Sequence, residues 1–177
     1  MTRRDAAMFP PDVPFVEWSP EDGDRDEFFM RRALVEAALA AEEGEVPIGA
    51  VLVCGNRIVA SDHNRRERAC DPTAHAEMLV LRSASNFFPS WRIEDSELFA
   101  TLEPCAMCAG ALAQSRVNRV VYGTRDPKGG AVVSLYSLLD DPRLNWRCET
   151  VEGILRDECA NQLRQFFQAR RKRADLS

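Results

Sequence analysis

Apolar positions along the chain follow two periods, one of about 3.6 residues, typical of helices, and one of two residues, typical of strands. Helical spacing first appears after Asp24, a residue suited to cap a helix, and it stops at Gly44. The apolar residues at this spacing are Met30, Ala33, Leu34, Ala37 and Ala41. Two β-type runs follow over residues 48–54 and 57–61, and the intervening Gly55-Asn56 predicts a tight hairpin.

The rest of the chain continues to alternate between helices and strands. We predict helices over residues 73–84 and 104–115, strands over residues 97–102 and 119–123, a short helix near residues 134–139, a strand over residues 148–152 and a closing helix over residues 157–173. Five strands among helices predict an α/β fold with a mixed sheet between helical layers. Residues 1–23 lack a period and are rich in proline and acids, which predicts a flexible acidic arm before a single domain over residues 24–177.

Charge is unevenly distributed, and this changes what the net charge of −5 implies. Residues 1–27 hold eight acidic side chains and three arginines, so the remaining 150 residues are neutral overall. A neutral body can still present a locally basic surface to phosphates. No apolar run reaches the roughly 18 residues of a membrane span, and residues 1–14 lack the apolar region of a secretory signal. We therefore expect a cytoplasmic protein with no membrane segment and with reduced cysteines.

The candidate chemistry lies in two short motifs, His75-Ala76-Glu77 and the run from Pro104 to Cys108. Cys105 and Cys108 are three residues apart at the start of a predicted helix, so both sulfurs lie on one face. The helix N-terminus is electropositive and favours thiolates there. With the neutral imidazole of His75, these residues make three ligands and leave the fourth tetrahedral position for water, as in catalytic zinc sites. We predict one Zn²⁺ per subunit.

Glu77 is predicted to transfer protons rather than to bind the metal. The two motifs together match the signature known for zinc-dependent nucleobase deaminases. Residues two apart on a regular helix point about 200° apart, so His75 must lie at the helix entry for both side chains to reach one metal. Asp71 or Thr73 is predicted to cap that helix. The alternative, a structural zinc site, needs a fourth ligand, and the only other histidine is His63.

From Phe28 to about Arg173 the chain resembles the bacterial tRNA-specific adenosine deaminases. The matching segments are EVPIGAV at 45–51, DPTAHAE at 71–77, TLEPCAMCAGA at 101–111, RVVYG at 119–123, Asp126, Lys128, GA at 130–131, EGIL at 152–155, FF at 166–167 and RR at 170–171. The resemblance implies a three-layer α/β/α cytidine deaminase-like fold, a homodimer, and conversion of adenosine to inosine at the wobble position of a tRNA anticodon, of the tRNA-arginine type.

The resemblance also implies roles for residues outside the zinc motifs. Asn64 aligns with a base-contacting asparagine of the family, and Asp126 aligns with a residue that contacts the anticodon-loop sugar. Arg170 and Arg171 end the closing helix, and we hypothesise that they contact anticodon-stem phosphates. An ordinary role stays open for each of these residues. Asn64 is then a turn residue, Asp126 is a loop acid, and the arginines are cations favoured at a helix C-terminus. Arg66 stands where the family often has proline, a difference that concerns loop stiffness.

Two alternative functions stay open at this point. A free nucleobase or nucleoside deaminase, acting on guanine or cytosine, would share the zinc chemistry without needing the basic C-terminal end. A non-enzymatic zinc-binding or RNA-binding module is the second alternative. Glu77 argues against such a module, because a structural site has no use for a carboxylate beside an open coordination position.

Overall fold

A computed structural model of the chain describes residues 16–174. Its helices are α1 (Arg25–Glu42), α2 (Arg66–Ala69), α3 (Ala76–Ala84), α4 (Ala106–Gln114) and α5 (Arg156–Ala174). Its strands are β1 (Gly49–Cys54), β2 (Arg57–His63), β3 (Ser96–Leu102), β4 (Arg119–Thr124) and β5 (Glu149–Glu152). Short 3-10 turns lie at Pro20–Asp22, Ser85–Phe87 and Leu138–Asp140. None of these helices is long and apolar enough to cross a bilayer.

The strands form the mixed five-stranded sheet that the sequence predicted, in the order β2-β1-β3-β4-β5. Strand β1 is antiparallel to both of its neighbours, whereas β3, β4 and β5 are parallel. The predicted hairpin is present, with Gly55 at φ +61° in the two-residue turn. Parallel strands end at the same edge of a sheet, so the segments that follow Leu102 and Thr124 meet there.

Alternate residues of the central strands face two separate apolar cores, which confirms the three-layer architecture. On one face, Leu52 and Leu98 pack with residues of α3 and α4. On the other face, Val51 and Phe99 pack with α1 and with Cys159 of α5. Helices α3 and α4, which carry the zinc motifs, therefore lie side by side on one layer.

Several predicted boundaries differ from the structure. The helix predicted over 73–84 begins only at Ala76, and the one predicted over 104–115 begins at Ala106. Strand β2 extends to His63, and the one-turn helix α2 was not predicted. The short helix predicted near residues 134–139 is wrong: residues 131–134 form turns, and only a 3-10 turn follows at Leu138–Asp140. The amides of Val132, Val133 and Ser134 donate to a buried carboxylate, described below.

Residues 16–23, which we predicted within the flexible arm, contact the domain. The backbone of Glu17 pairs with Arg57 of β2, and the Trp18 amide donates to the Asn56 carbonyl at 2.8 Å. The Trp18 ring packs against the α1 core. Contacts of the described chain therefore begin before the predicted boundary at Asp24. Residues 1–15 of the predicted arm lie outside the described residues.

A partly buried ion-pair network ties α1 to the sheet. The Arg119 guanidinium donates to both carboxylate oxygens of Asp26, at 2.9 and 2.6 Å, and to Glu97 at 2.9 Å. Arg25 donates to the same Glu97 at 2.6 Å. The hydrogen bond to Asp26 is the main cause that raises the pKa of Arg119, with the Glu97 contact adding to it and burial opposing it.

We expect Arg119→Ala to lower the free energy of unfolding by about 2 to 3 kcal/mol, because Asp26 loses its two hydrogen bonds from Arg119 and Glu97 keeps only Arg25. Urea denaturation measures this effect. Arg143→Ala is the matched control, since Arg143 makes a similar pair with Asp141 but its side chain is 87% exposed. The control should leave the unfolding free energy almost unchanged. Equal losses in both variants would contradict this explanation.

Candidate metal and catalytic site

Three of the predicted site residues form a compact triangle of ligand atoms. The two sulfurs of Cys105 and Cys108 lie 3.6 Å apart, and each lies 3.6 Å from Nδ1 of His75. Tetrahedral zinc with ordinary bond lengths places two sulfurs about 3.8 Å apart and a sulfur and a nitrogen about 3.6 Å apart. The triangle therefore has the dimensions that Zn²⁺ requires.

The backbone explains how these side chains converge. His75 is the residue that precedes α3, with extended backbone angles of φ −77° and ψ 151°, as the sequence predicted. Cys105 precedes α4 in the same way, with φ −73° and ψ 174°, and Cys108 lies in the first turn of α4. The predicted cap at Asp71 or Thr73 is wrong. Asp71 instead accepts hydrogen bonds from the Thr73 amide and hydroxyl, both at 2.7 Å, and so fixes the turn before His75.

The cluster favours the thiolate form of Cys105, which is the less buried of the two cysteines. A hydrogen bond from Cys108 is the main cause that lowers the pKa of Cys105 to about 3, and His75 contributes as well. The same hydrogen bond, together with burial, raises the pKa of the Cys108 thiol. The hydrogen bond with Cys105 also raises the pKa of His75. Burial and the positive charge of Arg66 oppose this rise. A dication bound here would favour thiolate at both sulfurs.

Glu77 lies beside this triangle without joining it. Its side chain is only 3% exposed, and burial raises the pKa of its carboxyl group. Its carboxylate is a hydrogen-bond partner of the Cys108 thiol. Among residues 16–172, no fourth ligand atom joins the three of the triangle. His63 belongs to another group with Glu36 and Asp62. This arrangement is the open type of zinc site rather than the closed structural type.

Asn64 lies immediately after β2 and is 3% exposed. Its Nδ2 donates to Oε2 of Glu45 at 3.2 Å and to the Val46 carbonyl at 3.4 Å. Glu45 is 1% exposed and also accepts the Arg68 amide at 2.7 Å. Glu45 thus fixes the orientation of the Asn64 amide and links it to helix α2.

Glu103 organises the loop on the other side of the triangle. Its carboxylate is 2% exposed and accepts hydrogen bonds from five donors. These are the amides of Asp126 (3.0 Å), Val132 (3.1 Å), Val133 (2.8 Å) and Ser134 (2.9 Å), and the Ser134 hydroxyl. A Cβ on Gly130 would lie 2.3 Å from this carboxylate, so only glycine fits there. Gly130 in turn pairs with Cys105, which places the loop beside a metal ligand.

The loop also carries Asp126 towards the C-terminal helix. Asp126 is half-buried, and its carboxylate accepts the Lys128 amide at 3.0 Å. Lys128 lines a groove of about 660 Å³ that includes the predicted Arg170 and Arg171. The other residues of this groove are Leu163, Arg164, Phe167 and Gln168. The structure therefore brings four cations, Lys128, Arg164, Arg170 and Arg171, together around the exposed ring of Phe167.

Sequence reasoning missed the roles of Glu45 and Glu103, although both lie in segments that it singled out. The available signal was an acidic residue at the edge of an apolar run: Glu45 precedes Val46-Pro47-Ile48, and Glu103 follows an apolar strand. A buried carboxylate requires hydrogen-bond donors. The identity of those donors depends on loops that are distant in the sequence.

Comparison with known proteins agrees with this geometry. Residues 24–124 match the family described as the cytidine and deoxycytidylate deaminase zinc-binding region. The tRNA-specific adenosine deaminase of Bacillus subtilis (strain 168) is 49% identical over 149 residues, which cover 84% of this chain and 92% of that protein.

Two solved structures are similar as well. One comes from a study of A-to-I editing by tRNA:A34 deaminases at the wobble position of transfer RNA. It is 43% identical, with a TM-score of 0.74 over 77% of this chain and 99% of that one. A guanine deaminase from Bacillus subtilis is 35% identical, with a TM-score of 0.53 over 56% of this chain and 64% of that one. The fold, the site and these relatives show that the chain belongs to the tRNA-specific adenosine deaminase family of zinc-dependent deaminases.

Proposed function

We propose that the protein hydrolyses adenosine to inosine at the wobble position of a tRNA anticodon, with a tRNA-arginine type as substrate. The observation that carries this proposal is the triangle of His75, Cys105 and Cys108 with the buried Glu77 beside it. The named substrate of the Bacillus subtilis relative supports tRNA over a free base.

The reaction replaces the amino group at C6 of adenine with an oxygen from water and releases ammonia. His75, Cys105 and Cys108 would hold the zinc, which when bound lowers the pKa of a water molecule at the open position and polarises it. Glu77 accepts a proton from the attacking water and delivers it to the adjacent ring nitrogen. It then carries a second proton to the departing amine, so that the leaving group is neutral ammonia.

The burial of Glu77 suits this double role. A carboxyl group with a raised pKa takes up a proton more readily than one in water and returns it in the next step. Without that proton the C6 amino group would have to leave as an amide anion, which is a poor leaving group. The hydrogen bond between Glu77 and Cys108 supports this role, since Cys108 is a proposed zinc ligand.

Asn64 and Asp126 are proposed to orient the nucleotide. The Asn64 Nδ2 is already shared between Glu45 and Val46, so its Oδ1 is the atom with capacity to accept from a substrate hydroxyl or ring group. The half-buried carboxylate of Asp126 is a suitable acceptor for a ribose hydroxyl, and Glu103 holds its backbone in place. Both assignments are supported by family resemblance and by these contacts.

The groove of Lys128, Arg170 and Arg171 is proposed to bind anticodon-stem phosphates. Both arginines are exposed, and Phe167 in the same groove is 44% exposed. Guanidinium groups are suited to bidentate contacts with phosphate oxygens.

Replacing both Arg170 and Arg171 with Ala should weaken RNA binding about tenfold or more, since each arginine is expected to bind one phosphate. The slope of log Kd against log salt should fall by about two. Filter binding of an anticodon stem-loop over a range of salt concentrations measures both quantities. The double replacement of Arg31 and Arg32 on α1 provides an exposed control. An unchanged salt slope would refute the role of Arg170 and Arg171.

We also infer a homodimer and a cytoplasmic location. Three large apolar side chains near the site, Val133, Leu135 and Tyr136, are 45%, 53% and 56% exposed. A cluster of exposed apolar residues is typical of a protein interface. Sedimentation equilibrium measures whether the protein forms a dimer. Cell fractionation shows whether the protein is found in the cytoplasm, together with its proposed tRNA substrate.

The test of the proposed function is the detection of inosine in an anticodon stem-loop that carries adenosine at the wobble position. The purified, zinc-loaded protein is expected to convert this RNA and to leave free guanine, cytosine and adenosine unconverted. Conversion of free guanine alone would favour the alternative function of a guanine deaminase. The guanine deaminase structure that is 35% identical to this chain is the reason to include guanine in the test. A protein that binds zinc but converts none of these compounds would contradict an enzymatic role.

A further inference from the structure

Helix α2 lies directly against the entry of the metal-binding helix α3. The Arg65 amide donates to the Ala74 carbonyl at 3.0 Å, and Ala74 is the neighbour of His75 in the chain. The Asp71 amide donates to the Arg66 carbonyl at 3.2 Å, so the segment closes on itself. The backbone of Arg66 is therefore held at a fixed place near the site.

Two of the three arginines in this segment are neutralised by acids of the domain. Arg65 pairs with Asp62 at 2.7 Å and approaches Glu43 at 3.7 Å. Arg68 pairs with Glu43 at 3.0 Å. Arg66 is exposed, and its guanidinium makes no hydrogen bond or ion pair with any residue that the structure describes.

Arg66 also lies two residues after Asn64, the proposed nucleotide-orienting residue, within this same segment. An exposed guanidinium that has no acidic partner among the described residues attracts an anion to this segment. The reacting base is neutral, and so is a free nucleoside. The nearest anions in an RNA substrate are the phosphates on either side of the adenosine.

We propose that Arg66 is a specificity residue that contacts a backbone phosphate next to the flipped adenosine. It distinguishes a nucleotide within RNA from a free nucleoside by a bidentate contact. This inference rests on the proposed function, since it takes RNA as the substrate. Arg66 has no described partner in the folded chain, so its replacement should leave stability unchanged.

The test compares Arg66→Gln with wild type and with a control, Arg31→Ala, which removes an exposed arginine on α1. Steady-state deamination is measured on the stem-loop. RNA affinity is measured over a range of salt concentrations in the Glu77→Gln background, where substrate is not consumed. Both are repeated with stem-loops in which the phosphate on one or the other side of the adenosine is a neutral methylphosphonate.

Arg66→Gln should raise KM about tenfold with little change in kcat. It should also reduce the salt slope by about one. Arg66→Lys should retain part of the affinity, whereas Arg31→Ala should behave as wild type. On the stem-loop that lacks the contacted phosphate charge, wild type and Arg66→Gln should have equal affinity.

An unchanged KM and salt slope would overturn the proposal. So would a fall in kcat with KM unchanged, because that result would mean that Arg66 acts on the zinc site and not on RNA. If wild type forms no inosine, the proposed function fails. The binding measurements then still decide whether Arg66 contacts a phosphate.

Discussion

Glu77→Gln is expected to reduce kcat for deamination by about 10³-fold, because the amide cannot accept the proton of the attacking water or deliver it to the substrate. The two side chains have the same shape, so packing around this buried position should be retained. A discontinuous assay for inosine with excess RNA measures kcat. Binding of the RNA should be nearly unaffected.

The zinc content separates a chemical effect from a structural one. Glu77 is not part of the ligand triangle, so the variant should retain one zinc per subunit by atomic emission spectroscopy. Glu77→Asp is the matched variant, because it keeps the charge but shortens the reach, and it should recover only part of the activity. A fully active Glu77→Gln protein would exclude the proposed role.

The second large effect is expected from Glu103→Gln, which should lower the free energy of unfolding by about 3 kcal/mol. The charged acceptor of five hydrogen bonds is lost, and the new amide group places a donor next to the loop's own donors. Urea denaturation measures this loss. Glu149→Gln is the control, since its side chain is 70% exposed. A Glu103→Gln protein as stable as this control would contradict the explanation.

The Glu103 variant should also alter the response to acid. Burial alone would raise the pKa of Glu103, but the hydrogen bonds from Ser134, Val133 and Asp126 outweigh it and lower the pKa below the ordinary 4.5. A lowered pKa in the folded state means that the stabilisation is complete above pH 4.5 and is lost as the pH falls through the folded value. The stability difference between wild type and variant should therefore narrow as the pH falls below 4.5. A difference that does not depend on pH would argue against an ionised Glu103.

Local spacing predicted how the two candidate cysteine ligands are arranged, whereas His75 and Glu77 were assigned from the match to the deaminase signature. Cys105 and Cys108 are three residues apart at a helix start, and this spacing alone puts both sulfurs on one side. The requirement that His75 precede its helix followed from helix geometry and was confirmed. The five strands were visible in the same way, since the periodicity of each is a property of neighbouring residues.

Interactions between distant segments were decided only by the tertiary structure. The helix predicted near residues 134–139 is absent, and turns form over residues 131–134, where three amides donate to Glu103, about 30 positions earlier. The link from Glu45 to Asn64 likewise spans 19 positions. Among the described residues Arg66 has no ion-pair partner, unlike Arg65 and Arg68, and this difference is visible only in the folded chain. Sequence spacing determined that Cys105 and Cys108 share one side of a helix start, whereas the approach of His75 and the long-range hydrogen bonds and ion pairs of the surrounding loops were decided by the tertiary structure, because those partners meet only when the chain is folded.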